Sequence, residues 1–212
     1  MEKIISRMTQ LGVIPVIKLD RAEDAVPLAG ALKAGGLCCA EITFRTDAAE
    51  EALKRISNAY PDFLLIAGTV LTQDQAERAW AAGAQAIVSP GFNPAIVSYC
   101  LSRGFPVIPG VCTPSEIESG LSMGLKYLKF FPAEAAGGVK MIKAVSAPYG
   151  GVKFMPTGGI NAGNIKEYLA CSSVFACGGS WMASGELIRE KRFDEITALT
   201  AQAVETVKEA RK

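Results

Sequence analysis

The chain has 212 residues, of which 50% are hydrophobic, with 22 basic and 21 acidic side chains and a formal net charge of +1. That length and apolar content suit one large core, so a single domain over 1–212 is expected. The near cancellation of charge removes any whole-chain case for nucleic acid or an anionic membrane as partner. Histidine is absent, which excludes Ser-His chemistry and His-ligated metals and leaves Lys, Glu, Asp, Arg, Tyr or Cys to carry any catalysis.

The periodicity predicts a helix over 2–11. Its Glu2, Lys3 and Arg7 stand where a secretory signal needs a continuous apolar run, and no later stretch offers about 20 uncharged apolar residues, so a cytoplasmic protein is expected. The six cysteines show no CxxC spacing, and most sit in apolar runs, which reads as reduced core thiols.

Short β-branched runs then alternate with amphipathic segments, the pattern of repeated βα units with a buried parallel sheet. Strands are predicted near 13–19, 38–45, 64–70, 86–89, 106–111, 127–132, 153–156 and 174–178. Helix starts are marked by Asp20 with Glu23, Asp47 with Glu50, Thr72 with Gln75, Asn93 before Pro94, and Thr113 before Pro114 with Glu116. The sum is an α/β chain, a (β/α)8 TIM barrel with an N-terminal helix, whose active site belongs at the C-terminal ends of the strands.

Along those ends, the first strand carries Lys18 in an apolar setting but without aromatic neighbours. The second ends Glu41-Ile42-Thr43-Phe44-Arg45, and alternation puts Glu41, Thr43 and Arg45 on one face. A Glu-Arg pair there is either structural or a source of proton transfer and carboxylate binding. The third ends Ala67-Gly68-Thr69, which alone is weak. The sixth sets Lys129 between Tyr127 and Phe131 on one face of an apolar strand. A strand lysine often snorkels to solvent; one held among apolar groups has its ammonium form disfavoured, which is how a lysine becomes a nucleophile. The seventh and eighth strands lead into Thr157-Gly158-Gly159 and Gly178-Gly179-Ser180. Paired Gly-Gly turns at those two positions let backbone N–H groups approach a phosphate, where either alone would read as a tight turn.

Taken in order, these pieces resemble the 2-keto-3-deoxy-6-phosphogluconate aldolases, a family overlapping the 4-hydroxy-2-oxoglutarate aldolases. The resemblance covers nearly the whole chain and runs through Val13-Ile14-Pro15-Val16-Ile17, Glu41 to Thr46, Gly68-Thr69-Val70, Ser89-Pro90-Gly91, Pro109 to Pro114, Leu128 to Glu134, Pro156 to Ile160 and Gly178 to Trp181. It implies a Schiff-base lysine at Lys129, an acid/base at Glu41, and Arg45 with Thr69 around the pyruvate carboxylate. Pro90, Phe131, Thr157, Gly158, Gly159, Gly179 and Ser180 would line the rest of the substrate site, with Gly158, Gly159 and Ser180 at its phosphate. It also implies a phosphorylated keto-deoxy sugar acid as partner, no metal or organic cofactor, no nucleic-acid or membrane partner, a homotrimer, and at Ser180 a lean toward the gluconate over the galactonate substrate. Two other readings of the same residues are an isomerase, epimerase or synthase using the phosphate loops without an imine, and a noncatalytic phosphosugar-binding barrel.

Overall fold

A computed structural model describes residues 1–211. The first helix, α1 (Glu2–Leu11), ends on Gly12 at φ 71°, a left-handed stop that glycine adopts without strain. There follow β1 (Val13–Ile17), a 3₁₀ turn at Ala22–Asp24 running into α2 (Ala25–Ala34), β2 (Cys39–Thr43), α3 (Ala48–Ala59), β3 (Leu64–Gly68), α4 (Gln73–Ala81), β4 (Ala86–Val88) and α5 (Pro94–Ser102). The second half runs β5 (Val107–Ile108), β6 (Gly110–Val111), α6 (Pro114–Ser122), β7 (Tyr127–Phe130), α7 (Gly138–Ser146), β8 (Lys153–Pro156), α8 (Ile165–Leu169), β9 (Cys177–Gly179), α9 (Gly185–Arg189) and α10 (Phe193–Ala210).

This is an α/β fold. A six-stranded sheet has the order β5-β4-β3-β2-β1-β9, and a second sheet has the order β6-β7-β8. Every strand pairing is parallel. Two single parallel bridges, Phe154 with Val174 and Thr157 with Gly178, run from the second sheet to the chain around β9.

The strand predicted over 106–111 is two pieces, because Pro109 falls between β5 and β6 and has no N–H to give a ladder. The last strand lies at Cys177–Gly179, later than the predicted 174–178, and Val174 keeps one bridge only. Of the predicted caps, Thr72 accepts from the Gln75 N–H, Asn93 from the Ala95 N–H, and Thr113 forms a full capping box with Glu116. Asp47 is at the N-cap but bonds no helix N–H, and Asp20 leaves its helix start altogether to pair with Lys18 at 2.6 Å.

β2 and β3 are buried at every position, so both faces of the sheet are covered. The closing helix α10 presents Ile196, Thr200, Ala203 and Val207 as one buried stripe at helical spacing. It lies so close to the end of α2 that a Cβ on Gly35 would be 2.5 Å from the Thr200 Cβ. No described helix is long and apolar enough to cross a membrane.

Candidate active site

Lys129 sits in β7 with its main chain paired to Gly110 on one side and Met155 on the other. The flanking Leu128 and Phe130 are fully buried, and Phe130 meets Phe154 edge-on with ring centres 6.1 Å apart. Alternation therefore sends Lys129 to the opposite face, where it is 4% exposed. Its amine lies 5.5 Å from the centre of the Phe131 ring, within cation–π range.

The surroundings of this amine are not purely apolar. Lys129 Nζ donates to Glu41 Oε1 at 3.2 Å, and Glu41 is fully buried. Its other oxygen, Oε2, has no hydrogen-bond partner. A buried carboxylate oxygen without a donor is costly unless a ligand, water or substrate hydroxyl supplies one. The pair thus sets a buried amine against one carboxylate oxygen and leaves the other carboxylate oxygen without a protein partner.

Glu41 has room only because β3 ends in glycine. In register, Thr43 faces Gly68, and a Cβ at Gly68 would come within 2.2 Å of Glu41 Oε1. The following residue, Thr69, takes φ 56°, a left-handed conformation that costs a non-glycine residue roughly 1–3 kcal/mol. Strain of this kind turns the chain sharply at the end of β3. Pro90, after β4, packs its carbonyl against Gly110, where any Cβ would be 2.1 Å from that oxygen. Through Gly110 it abuts the strand of Lys129.

Arg45 does not pair with Glu41. Its Nε donates to Thr43 Oγ1 at 3.2 Å, while Thr43 in turn donates to the Ile17 carbonyl at 2.9 Å. The guanidinium is exposed and borders a pocket of about 170 Å³. The same pocket is lined by Thr157, Gly158, Gly159, Gly178, Gly179 and Ser180, the residues of the two Gly-Gly turns, together with Val16 and Ile160, to which the sequence gave no role of their own. Both turn glycines are left-handed, Gly158 at φ 100° and Gly159 at φ 83°. Gly178 is required by Thr157: a Cβ there would sit 2.4 Å from Thr157 Oγ1, a buried hydroxyl with no partner.

Lys129, Glu41, Thr69 and Pro90 lie outside the lining of that pocket. Two links join the parts. Val16, which lines it, pairs in register with Glu41, and the Phe131 ring reaches both the Lys129 amine and Gly158, where a Cβ would be 3.4 Å from ring carbons.

Other nucleophile candidates are placed elsewhere. Lys18 is exposed and paired with Asp20, and Lys153 donates to the Ser172 carbonyl. Burial pushes the thiols of Cys39 and Cys177 far up, and that of Cys100 up to about 11, so each stays protonated near neutrality and is a poor nucleophile. Among the described residues no three Cys, Asp or Glu side chains group in a way that could hold a metal ion.

Residues 4–199 match the family model of KDPG and KHG aldolases. The 2-dehydro-3-deoxy-phosphogluconate aldolase of Treponema pallidum is 50% identical over 204 residues, covering 96% of this chain and 97% of that protein. The KHG/KDPG aldolase of Escherichia coli is 42% identical over 203 residues, covering 96% and 95%. Among solved structures, KDPG aldolase from Legionella pneumophila, with pyruvate captured as a covalent carbinolamine intermediate, superposes with a TM-score of 0.91 at 44% identity, covering 95% of this chain and 97% of that one.

Proposed function

The chain belongs to the KDPG and KHG aldolase family and is a Schiff-base aldolase, and from that premise we propose how its own residues do the work. The reaction is cleavage of 2-keto-3-deoxy-6-phosphogluconate into pyruvate and glyceraldehyde 3-phosphate, with 4-hydroxy-2-oxoglutarate as the alternative substrate the family name covers. The observation that carries the assignment is the buried contact of Lys129 Nζ with Glu41 Oε1 at 3.2 Å beside an unpartnered Glu41 Oε2.

Lys129 passes a proton to Glu41 and attacks the C2 ketone through its lone pair, giving a carbinolamine. Glu41 then donates to the departing hydroxyl, which leaves as water, and the iminium forms. The iminium draws the C3–C4 bonding electrons toward nitrogen while the C4 hydroxyl proton moves to the carboxylate, directly or through a water on Oε2. Glyceraldehyde 3-phosphate departs, and the enamine takes a proton at C3 from the Glu41 carboxyl. Water adds to C2 and releases pyruvate and the free amine. The Phe131 ring covers the cationic nitrogen, and Thr69 and Pro90 border the pyruvyl end.

At the other end, Gly158, Gly159, Gly179 and Ser180 hold the phosphate, with backbone N–H groups that close approach by glycine permits. Arg45 is assigned, with Thr69, to the carboxylate of the pyruvyl end, which its guanidinium can grip with two donors. The Thr157 hydroxyl, buried and unpartnered, supplies a donor to the sugar chain.

We further take residues 1–212 as one (β/α)8 domain in which the two sheets are parts of one barrel. Pro109 alone separates β5 from β6, and the bridges Phe154–Val174 and Thr157–Gly178 join β8 to the β9 chain, which supports closure. A cytoplasmic setting fits the six free cysteines. A homotrimer is consistent with apolar side chains at the surface, Leu71 being 53% exposed. Light scattering giving a three-chain mass tests the assembly. The activity itself is tested by coupling pyruvate release to lactate dehydrogenase: steady release from the phosphorylated substrate is expected, and none would overturn the reading.

A further inference from the structure

The turn after β7 lies on the phosphate loop. The Ala133 N–H donates to the Thr157 carbonyl at 2.8 Å and the Glu134 N–H to the Gly158 carbonyl at 3.0 Å. The Glu134 side chain then folds across Gly159 so closely that a Cβ there would be 2.5 Å from Glu134 Cγ. Its carboxylate accepts a hydrogen bond from the hydroxyl of Tyr168, a fully buried residue of α8. Burial and that bond both raise the phenol, so Tyr168 remains a donor throughout the neutral range. On the far side, the amides of Asn164 and Asn161 donate to the Gly159 carbonyl at 3.0 and 3.2 Å. Gly159 is therefore clamped between a carboxylate anchored on a helix and a pair of amides.

We propose that Glu134, held by the Tyr168 hydroxyl, is a positioning residue that fixes the Gly158–Gly159 backbone where it meets the substrate phosphate. It rests on the phosphate reading of that loop. Glu134 lies five residues after Lys129, in the turn into which β7 runs, so one short stretch of chain sets both the nucleophile and the height of the phosphate cradle. Without the anchor, the left-handed Gly-Gly turn keeps its sequence but loses the side chain against which it rests.

The test uses full-length protein with Tyr168→Phe, which keeps the buried ring and deletes only the hydroxyl, alongside Glu134→Ala and Glu134→Gln, whose amide oxygen still accepts from Tyr168. Three quantities are read: KM and kcat for the phosphorylated substrate, pyruvate half-saturation in borohydride trapping, and competitive inhibition by inorganic phosphate. Expected are a KM raised at least fivefold in Tyr168→Phe and Glu134→Ala, phosphate inhibition weakened in step, partial recovery in Glu134→Gln, and a pyruvate half-saturation that moves less than the KM. Equal shifts in KM and in pyruvate trapping would make the pair a general structural support and overturn the proposal, as would an unshifted KM. Should inorganic phosphate fail to compete in the wild-type protein, the phosphate reading falls and the strut with it. Competition in the wild type that persists at full strength in Tyr168→Phe overturns the strut alone.

Discussion

Gly68 lies under the Glu41 side chain, two residues along β3 from Glu41's own ladder partner Ile66, so closely that one methyl group on Gly68 would be 2.2 Å from the carboxylate oxygen that accepts the Lys129 hydrogen bond. The glycine is not in a left-handed conformation, so its role is space and not backbone freedom. Gly68→Ala forces the Glu41 side chain to move, because its Cγ and Cδ would also be overlapped, at 2.6 and 2.7 Å. Overpacking of this kind costs about 1–3 kcal/mol, and kcat should fall about tenfold or more while the protein still folds. A Gly68→Ala protein with wild-type kcat would show that Glu41 need not stand where it does.

Removing either partner of the Lys129–Glu41 pair leaves a buried charge unmatched, at a cost of about 3–5 kcal/mol. Lys129→Met should therefore lose both activity and melting temperature. The double variant Lys129→Met with Glu41→Leu should regain most of the stability and stay inactive. Thermal denaturation of the three proteins checks this, and a double variant no more stable than the single one contradicts it.

Glu41→Gln separates nucleophile from acid/base. Turnover should drop by about 10²–10⁴, yet the lysine remains able to form an imine slowly. A variant with undiminished kcat would move proton transfer to another group.

Ser180 is exposed and at the mouth of the pocket, so Ser180→Ala should leave stability within about 0.5 kcal/mol. A hydrogen bond to a charged group is worth about 1.5–3 kcal/mol, which predicts a KM for the phosphorylated substrate raised about tenfold or more with kcat little changed. Steady-state kinetics that show an unaltered KM would remove this hydroxyl from the phosphate.

Much of this was written in local sequence. Strand positions followed from apolar runs, and Thr72, Asn93 and Thr113 announced their helices by side chains that accept a first-turn N–H. Asp20 and Asp47 carried the same signal and did not bond the helix, since a cap residue also has other partners to choose from, as Lys18 was for Asp20. Alternation placed Glu41 and Lys129 inside, but their meeting joins positions 88 residues apart in the chain, and no local pattern encodes that. The same holds for Arg45, which the shared face of β2 suggested as a partner of Glu41 and which bonds Thr43 instead. The tight fit of Gly178 against Thr157 and the Glu134–Tyr168 clasp were silent because their meaning is the volume left between distant segments.

Acid stability reports on α6. Burial raises the Glu116 carboxyl, but hydrogen bonds from the Cys112 and Thr113 N–H groups and the Thr113 hydroxyl outweigh it and hold the group below its ordinary value of 4.5. A depressed carboxylate stabilises the fold above that ordinary value, and the contribution is lost as pH falls through the lower folded one. Glu116→Gln should thus be less stable than wild type at neutral pH, with the gap closing below pH 4.5. A gap that is the same at both ends of the pH range would contradict the linkage.

The most direct test of the account is borohydride reduction in the presence of pyruvate, followed by peptide mass mapping. One reduced pyruvyl adduct on the peptide that carries Lys129, absent from Lys129→Ala, is the result expected. An adduct on Lys18 or any other lysine, or none at all under turnover conditions, would contradict it.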